Sequence, residues 1–324
     1  MNKHMNTSLY YFMIIAEEQS IAKAARRLYV SPQNLSNYIH RLEEEYGTLF
    51  IRKPQFKLTP AGTLLLNTLQ QISILEKGLH AQLNHLNSNE STYIRFGIHS
   101  TRARAIMPYI LPELRARVPN LFLDLRHATV KELEKQLAIG EIDAFLGVDT
   151  TPNAAFALTR LHREPIYLVV SKKLLEKLNL TEAIPSEPQQ KFPLACLERL
   201  PYLLSPPNSR FRKKLELFCK GSGLILHEVV RISDFELQIQ LAAQEQGACF
   251  CPQMMLERVA AINRTHPDEP MLYAMRVESL EFTSNISLVT HKLAAQTPEL
   301  TALIEVFQQE FLDKFYLDIG PDYI

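Results

Sequence analysis

The chain has 324 residues, 46% of them hydrophobic, enough for two or three domains of ordinary size with buried cores. Its 35 basic and 35 acidic side chains cancel, so bulk charge draws it neither to nucleic acid nor to a membrane, and any such partner must be met by a local patch. No secretory leader pattern or long apolar run occurs. The four cysteines (Cys196, Cys219, Cys249 and Cys251) form no Cys-x-x-Cys pair. A cytoplasmic protein is therefore expected, with reduced, mostly buried thiols, no structural metal and no cofactor.

Leu9, Phe12, Met13 and Ala16 fall at helical spacing and predict a first helix with one apolar stripe. Ser20 is placed to cap a second helix, in which Ala24 and Ala25 permit close packing, Leu28 anchors the core, and Lys23, Arg26 and Arg27 stay outside. Ser31 and Pro32 start a third: the hydroxyl can cap free backbone N–H groups, and proline suits the first helical position. Leu35, Ile39, Leu42 and Tyr46 then share one sector, expected to be buried, with Gln33, Asn37 and His40 opposite. Hydrogen-bonding side chains near a helix start, joined by a short turn to a basic helix, form a helix-turn-helix pattern whose open face can reach base edges. The same face could also simply meet water.

Phe50 to Leu58 predicts a small hairpin or wing around a proline, carrying Arg52, Lys53 and Lys57, cations suited to phosphate. Residues 1–62 hold eight basic and five acidic side chains, so this segment is locally basic. The acidic run Glu43 to Glu45 would repel phosphate and is expected to point away from a duplex; on its own it reads as a solvated face.

With Phe12, Ser20, Ala24-Ala25, Leu28, Ser31, Leu35-Ser36, Ile39, Leu42-Glu43, Gly47, Leu49-Phe50, Arg52 and Leu58-Thr59-Pro60-Ala61-Gly62, the N-terminal segment resembles the LysR-type transcriptional regulators. The family often enters its recognition helix with Ser-Gln-Pro or Ser-Gln-Ser, where this chain has Ser31-Pro32-Gln33-Asn34, a departure that bears on base preference. The expected DNA contacts are Ser31, Gln33, Asn34, Ser36, Asn37, His40, Arg41, Arg52 and Lys53. Within that set Gln33, Asn37 and His40 would read bases, while Ser31, Ser36, Arg41, Arg52 and Lys53 would hold phosphates.

Thr59-Pro60 repeats the start signal, and the next helix places Leu65, Leu69, Ile72, Leu79, Leu83 and Leu86 at steps of four and three, with Glu76 in the remaining seam position. This heptad stripe is expected to pair two chains, and LysR-type proteins likewise dimerise through the helix after the wing. The polar segment Asn84 to Thr92 is the expected domain boundary.

Beyond it, Ile94, Phe96 and Ile98 alternate with polar residues, followed by a helix from about Ala103 to Val118, a strand at Leu121 to Leu125, a helix from Val130 to Ile139 and a strand from Ile142 to Val148. Such alternation predicts parallel strands with crossover helices. A second series runs through Ile166 to Val170, Tyr202 to Leu204, a basic helix from Ser209 to Lys220 and Ile225 to Ile232, with Ser233 and Glu236 as a capping-box signal. Phe96-Gly97, Leu111-Pro112, Pro119, Gly140-Glu141-Ile142-Asp143, Gly247 and Pro252 again resemble the LysR-type family, in its effector domain. At Glu245-Gln246-Gly247 the first glycine of the family's usual Gly-x-Gly is absent.

The expected fold is a multidomain α+β chain: a winged helix-turn-helix over 1–62, a linker helix and hinge over 63–91, and an effector-binding regulatory domain over 92–324. The resemblance implies that the last consists of two α/β subdomains similar to periplasmic binding proteins, 92–161 with 269–310 and 162–268, enclosing a small molecule. Strand ends and helix starts favour an anion, and Ser100, Thr101 and Thr129 occupy such places. The resemblance supports these three, because the family's corresponding loops line the cleft. Arg102 is a candidate anion partner, and Ser205, Asn208 and Phe250 are the second-subdomain candidates. Each hydroxyl could equally be a helix cap, so it is their convergence that marks a site. His99 reads as structural, and Cys249 and Cys251, which share one strand face, read as buried packing.

No nucleophile elbow, phosphate-binding loop, His-Glu-x-x-His or dinucleotide fingerprint occurs, so catalysis has no residue-level support. The expected protein is a sequence-specific transcriptional regulator. Its expected partners are double-stranded promoter DNA, a small-molecule effector (an anionic one fits the helix starts), RNA polymerase, and further copies of the chain in a homodimer or homotetramer, with no membrane. The alternative is a solute-binding protein with a helical N-terminal interaction domain, against which the missing export signal and the wing both argue.

Overall fold

Three helices, α1 (Thr7–Glu18), α2 (Ile21–Leu28) and α3 (Pro32–Tyr46), close around an apolar core of Phe12, Ala24, Ala25, Leu35 and Ile39, each with almost no exposed surface. The computed structural model describes residues 7–86, 92–187, 190–265, 271–281, 283–294 and 296–315. The chain divides into two units, the first formed by residues 1–88 with the short segments 138–141 and 293–295, and the second by the rest. In helix α1 the stripe of Leu9, Phe12, Met13 and Ala16 packs on the core, Phe12 fully buried and the other three partly, and the buried face is wider than one stripe, taking in Ile14 and Ile15, because the helix packs against several neighbouring helices at once.

Helix α2 starts on Ser20, whose hydroxyl accepts from Lys23 N at 3.4 Å. It ends at Tyr29 in the left-handed region, φ 56°, with Val30 N donating back to Ala25 O at 3.1 Å. Glycine is the usual occupant of such a position, and a side chain there costs about 1–2 kcal/mol. Helix α3 follows from Ser31, whose Oγ accepts from Asn34 N at 3.2 Å, with Pro32 in the first turn. Leu35, Ile39 and Leu42 are buried as expected, but Tyr46 is exposed, because the last residue of α3 extends past the core.

The wing is an antiparallel pair, β1 (Phe50–Ile51) and β2 (Lys57–Leu58), with Phe56 stacked on Phe50 at 4.9 Å. Glu43 organises it: Oε1 accepts from Leu49 N at 2.9 Å and Phe50 N at 3.1 Å, and Oε2 accepts from Arg52 at 3.0 Å. This member of the acidic run is thus structural rather than a solvated face. Helix α4 (Pro60–Leu86) is spliced to the wing through Thr59, whose hydroxyl donates to Thr48 O at 2.7 Å and accepts from Gly62 N at 3.0 Å. A Cβ on Gly62 would lie 2.2 Å from Leu49 O, so only glycine permits that approach. Leu65 and Leu69 pack into the helical core, which restricts the open stripe to Ile72, Leu75, Leu79 and Leu83. Leu75, not Glu76, completes it, and the Leu86 side chain lies outside the described residues.

The second unit runs β3 (Thr92–Gly97), α5 (Ser100–Arg117), β4 (Leu121–Arg126), α6 (Val130–Ala138), β5 (Ala144–Val148), β6 (Phe156–Ser171), α7 (Lys172–Lys177), β7 (Pro201–Leu204), α8 (Arg210–Ser222), β8 (His227–Arg231), α9 (Phe235–Ala243), β9 (Cys249–Pro252), α10 (Leu256–Arg264), β10 (Leu272–Met275), β11 (Thr283–His291) and α11 (Pro298–Phe315). Strands β4, β3 and β5 are parallel, and antiparallel β11 links β5 to the first half of β6. The second half of β6 pairs with β9 and β10, while parallel β7 and β8 join through a bridge between Tyr202 and Ala248. Residues 272–275 therefore belong with the second subdomain, not the first, because they pair with Leu168 to Ser171. Helix α9 is capped by Asp234 rather than Ser233, its carboxylate accepting from Glu236 N at 2.8 Å.

Glu164 sits where β6 passes between these two pairings, opposite Ser284 on one side and next to the β9 register on the other. Its side chain is fully buried; Oε2 accepts from Arg102 at 2.6 Å and Oε1 accepts from Met254 N at 3.1 Å. Removing one member of a buried pair leaves the other charge uncompensated, at a cost of roughly 3–5 kcal/mol. Glu164→Ala is therefore expected to lower unfolding stability in denaturant by about that amount, and Arg102→Met with Glu164→Leu by clearly less. Equal stability of Glu164→Ala and the parent chain would contradict this account.

Candidate functional site

On α3 the side chains of Gln33, Asn34, Asn37, His40 and Arg41 are exposed and Ser36 is half-buried, while the opposite face fills the core. Gln33 Nε2 donates to Asn37 Oδ1 at 3.4 Å and His40 Nδ1 lies 3.2 Å from Glu44, so the polar face is ordered along the helix axis. Ser31 is engaged as the cap, and Arg52 is held by Glu43 with half its side chain still open, beside the exposed Lys53. Arg27 is tied to Glu18 and Glu17 at 2.9 and 2.8 Å, and those acceptors raise its pKa, Glu18 most strongly. Lys23 and Arg26 are exposed on α2.

In the second unit, α5 begins three residues earlier than expected, with His99 as its cap, so Ser100 and Thr101 are helical rather than in a loop. Ser100 is half-buried, and Thr101 is 5% exposed with an Oγ1 that has no hydrogen-bond partner. Arg102 is buried and committed to Glu164, with Nη1 also 2.7 Å from Met254 Sδ; it is a structural cation as the fold stands. Burial, and secondarily the Arg102 guanidinium, lowers the His99 pKa. Thr129 is exposed and forms a full capping box for α6: its hydroxyl donates to Glu132 Oε2 at 2.7 Å and its N–H to the same oxygen at 3.0 Å. These bonds hold the Glu132 carboxyl below its usual range.

Ser205 is buried and accepts from Gln238 Nε2 at 3.4 Å, whereas Asn208 is exposed. Phe250 is 1% exposed and stacked on Tyr202 at 5.6 Å, so it belongs to the subdomain core and not to a cleft wall, because every residue of β9 is buried. Ser100 lines an open groove of about 580 Å³ together with Arg104, Met107, Leu111, Leu125 and His127.

Two sets of ion pairs across the subdomains were not legible as a site in the sequence. Arg104 of α5 meets Asp234 at 2.8 Å and Glu236 at 3.6 Å, at the start of α9. Arg210 of α8 meets Glu134 of α6 at 2.8 Å, Thr151 Oγ1 at 2.9 Å and Asp149 O at 2.6 Å, while Lys214 meets Asp149 at 2.7 Å. The only sequence signal is that Arg104 and Arg210 stand near helix starts; their partners lie far away along the chain.

Burial pushes the Cys249 thiol up to about 12 and the Cys251 thiol well above its ordinary value, and also raises Cys219. Among the described residues no three His, Cys, Asp or Glu side chains group to suit a metal, and no helix is long and apolar enough to cross a membrane.

The helix-turn-helix family profile "Bacterial regulatory helix-turn-helix protein, lysR family" matches residues 7–63, and the "LysR substrate binding domain" profile matches 87–312. The uncharacterized HTH-type transcriptional regulator YcgK of Bacillus subtilis (strain 168) is 28% identical over 76% of this chain and 79% of its own length. The hydrogen peroxide-inducible genes activator of Haemophilus influenzae is 23% identical over 76% and 79%. The crystal structure of full-length CbnR complexed with its target DNA aligns with a TM-score of 0.55 at 21% identity, covering 94% of this chain and 99% of that one, and so shares the fold. Both halves of one architecture are thus present here: the chain belongs to the LysR family, as a DNA-binding transcriptional regulator with an effector-binding domain, and is not an enzyme.

Proposed function

We propose that α3 enters a major groove, with Gln33, Asn37 and His40 reading bases, while Ser31, Asn34, Ser36, Arg41, Arg52 and Lys53 fix the helix against phosphates. The observation that carries this reading is the division of one helix into a face the core requires, Leu35, Ile39 and Leu42, and a continuous hydrogen-bonding face that it does not. The exposed stripe Ile72, Leu75, Leu79 and Leu83 supports pairing of two chains through α4, so that two heads grip a partly symmetric operator. Dimers pairing into tetramers and contact with RNA polymerase belong to the same reading, as does a cytoplasmic location, where promoter DNA is.

The effector is read as a small molecule held at the first turn of α5 by Ser100 and Thr101, with Thr129 and Asn208 at the rim. The orphaned Thr101 hydroxyl supports a missing polar partner there. An anionic group would reach Arg102 only by competing with Glu164, and Thr129 only by competing with Glu132. Anion binding on this reading remakes the crossing point of β6, shifts closure of the subdomains and alters the Arg104 and Arg210 ties.

A protection footprint on the DNA upstream of the chain's own gene is expected to show a dyad-related site; no specific protection there or on a genomic pool would overturn the operator reading. In titrations of that site, Asn37→Ala is expected to lose about 1–3 kcal/mol of preference over unrelated DNA, whereas Arg52→Ala weakens both alike. Equal losses from Asn37→Ala on both duplexes would remove Asn37 from base reading. Thr129→Ala is expected to blunt the effector dose response and Thr129→Ser, which retains the cap, to restore it, with operator affinity unchanged in both. An unaltered dose response in Thr129→Ala would take Thr129 out of the site. Because the thiolate is the reactive form and burial suppresses it at Cys219, Cys249 and Cys251, none of these three is expected to carry a peroxide response, and changing any of them to serine should leave the footprint in hydrogen peroxide as it is in the parent chain. A peroxide-dependent footprint abolished by a Cys→Ser change at one of the three would refute this.

A further inference from the structure

Among the non-glycine residues described with positive φ, Gln19, Asp149, Asn179, Glu245 and Ser279 are polar, Asp149 and Asn179 being of the types that best tolerate the left-handed region, and Tyr29 alone is aromatic. The turn needs this backbone geometry, since Tyr29 N–H and Val30 N–H both return to α2 carbonyls and Val30 packs on the core. It does not need the ring: glycine would supply the same geometry without the steric cost, and at 96% exposure the ring has almost no packing that offsets it. A strained position with an idle side chain, next to a binding element, points to a use outside the fold.

Its place defines that use. Tyr29 precedes the Ser31 cap of α3 by two residues, and the stretch Ser31 to Asn34 is wholly exposed. In a helix-turn-helix the first helix crosses the backbone and the start of the second meets base edges, so the turn between them lies beside a sugar-phosphate strand. Its exposed sequence neighbours are Arg26, Ser31 and Pro32, with Arg27 neutralised by Glu17 and Glu18, a mainly polar surround with Arg26 as its cation that suits an anionic strand better than an apolar protein surface.

We propose that Tyr29 is a DNA-positioning residue, its ring packed on a deoxyribose and its hydroxyl donating to a phosphate at the edge of the groove that receives α3. The proposal rests on the reading of α3 as the base-reading helix. Phenol chemistry fits both halves of the contact, an apolar body and a single donor at its tip.

The test compares full-length wild type, Tyr29→Gly and Tyr29→Phe by melting temperature and by titration of operator and unrelated duplexes. Tyr29→Gly is expected to melt at or above wild type while binding both duplexes roughly 3- to 10-fold more weakly, and Tyr29→Phe to show a smaller loss on both. The salt dependence should keep its slope, since the phenol carries no charge to exchange for counterions. Unchanged affinity of Tyr29→Gly for both duplexes would overturn the proposal, as would a fall in melting temperature that parallels the loss of binding. Unchanged binding with lost promoter activation would instead assign Tyr29 to a protein partner, again overturning it. Should wild type show no operator preference, the α3 reading fails, and the comparison on unrelated duplex still decides the role of Tyr29.

Discussion

Glu164 is fully buried at the point where β6 leaves one sheet pairing for another, and each of its oxygens accepts from a different part of the effector domain. Arg102 reaches it from the first turn of α5, in the first subdomain, and the Met254 N–H from the turn after β9, in the second. A buried carboxylate is tolerated only when fully hydrogen-bonded, so these three groups must stay in register or move together. Since Arg102 also follows Thr101, whose hydroxyl has no hydrogen-bond partner, the crossing point and the candidate effector site share one turn of helix.

The helical head uses the same device on a smaller scale. Glu43 gathers two backbone N–H groups and a guanidinium, so a carboxylate on α3 fixes where the wing begins and holds Arg52 in place. An ion pair of this kind on an exposed surface contributes little to stability. Its effect is geometric: it sets the cationic wing at a fixed offset from the polar face of α3, an offset that a duplex would have to match if both faces touch it as proposed.

Much of this was legible in the amino-acid order. Ser31-Pro32 marks a helix start because capping and the missing proline N–H act locally, and the spacing of Leu35, Ile39 and Leu42 marks a buried face because helical period is local too. What stayed hidden depends on distant pairing. Periodicity extends the buried sector to Tyr46 and admits Glu76 to the seam, since it carries no information on where the neighbouring core stops. Arg102 reads as an open anion partner until Glu164, 62 positions on, is found against it. Phe250 shows the same limit, for a strand buried on both faces looks like a cleft wall until its neighbours are placed.

The close approach of Gly62 to Leu49 O, reinforced by Thr59, makes the wing and the first turn of α4 a single rigid piece. Helix α4 has 27 residues, so at about 1.5 Å each it is a lever of roughly 40 Å whose first turn is fixed to the wing. A tilt of only about 5° along that lever displaces its far end by ~3.5 Å, close to the ~3.4 Å rise of one base pair. The joint at Gly62 therefore gears the head to the helix: with the Leu86 end as pivot, a small angular change in α4 shifts the wing by a distance comparable to one base-pair step.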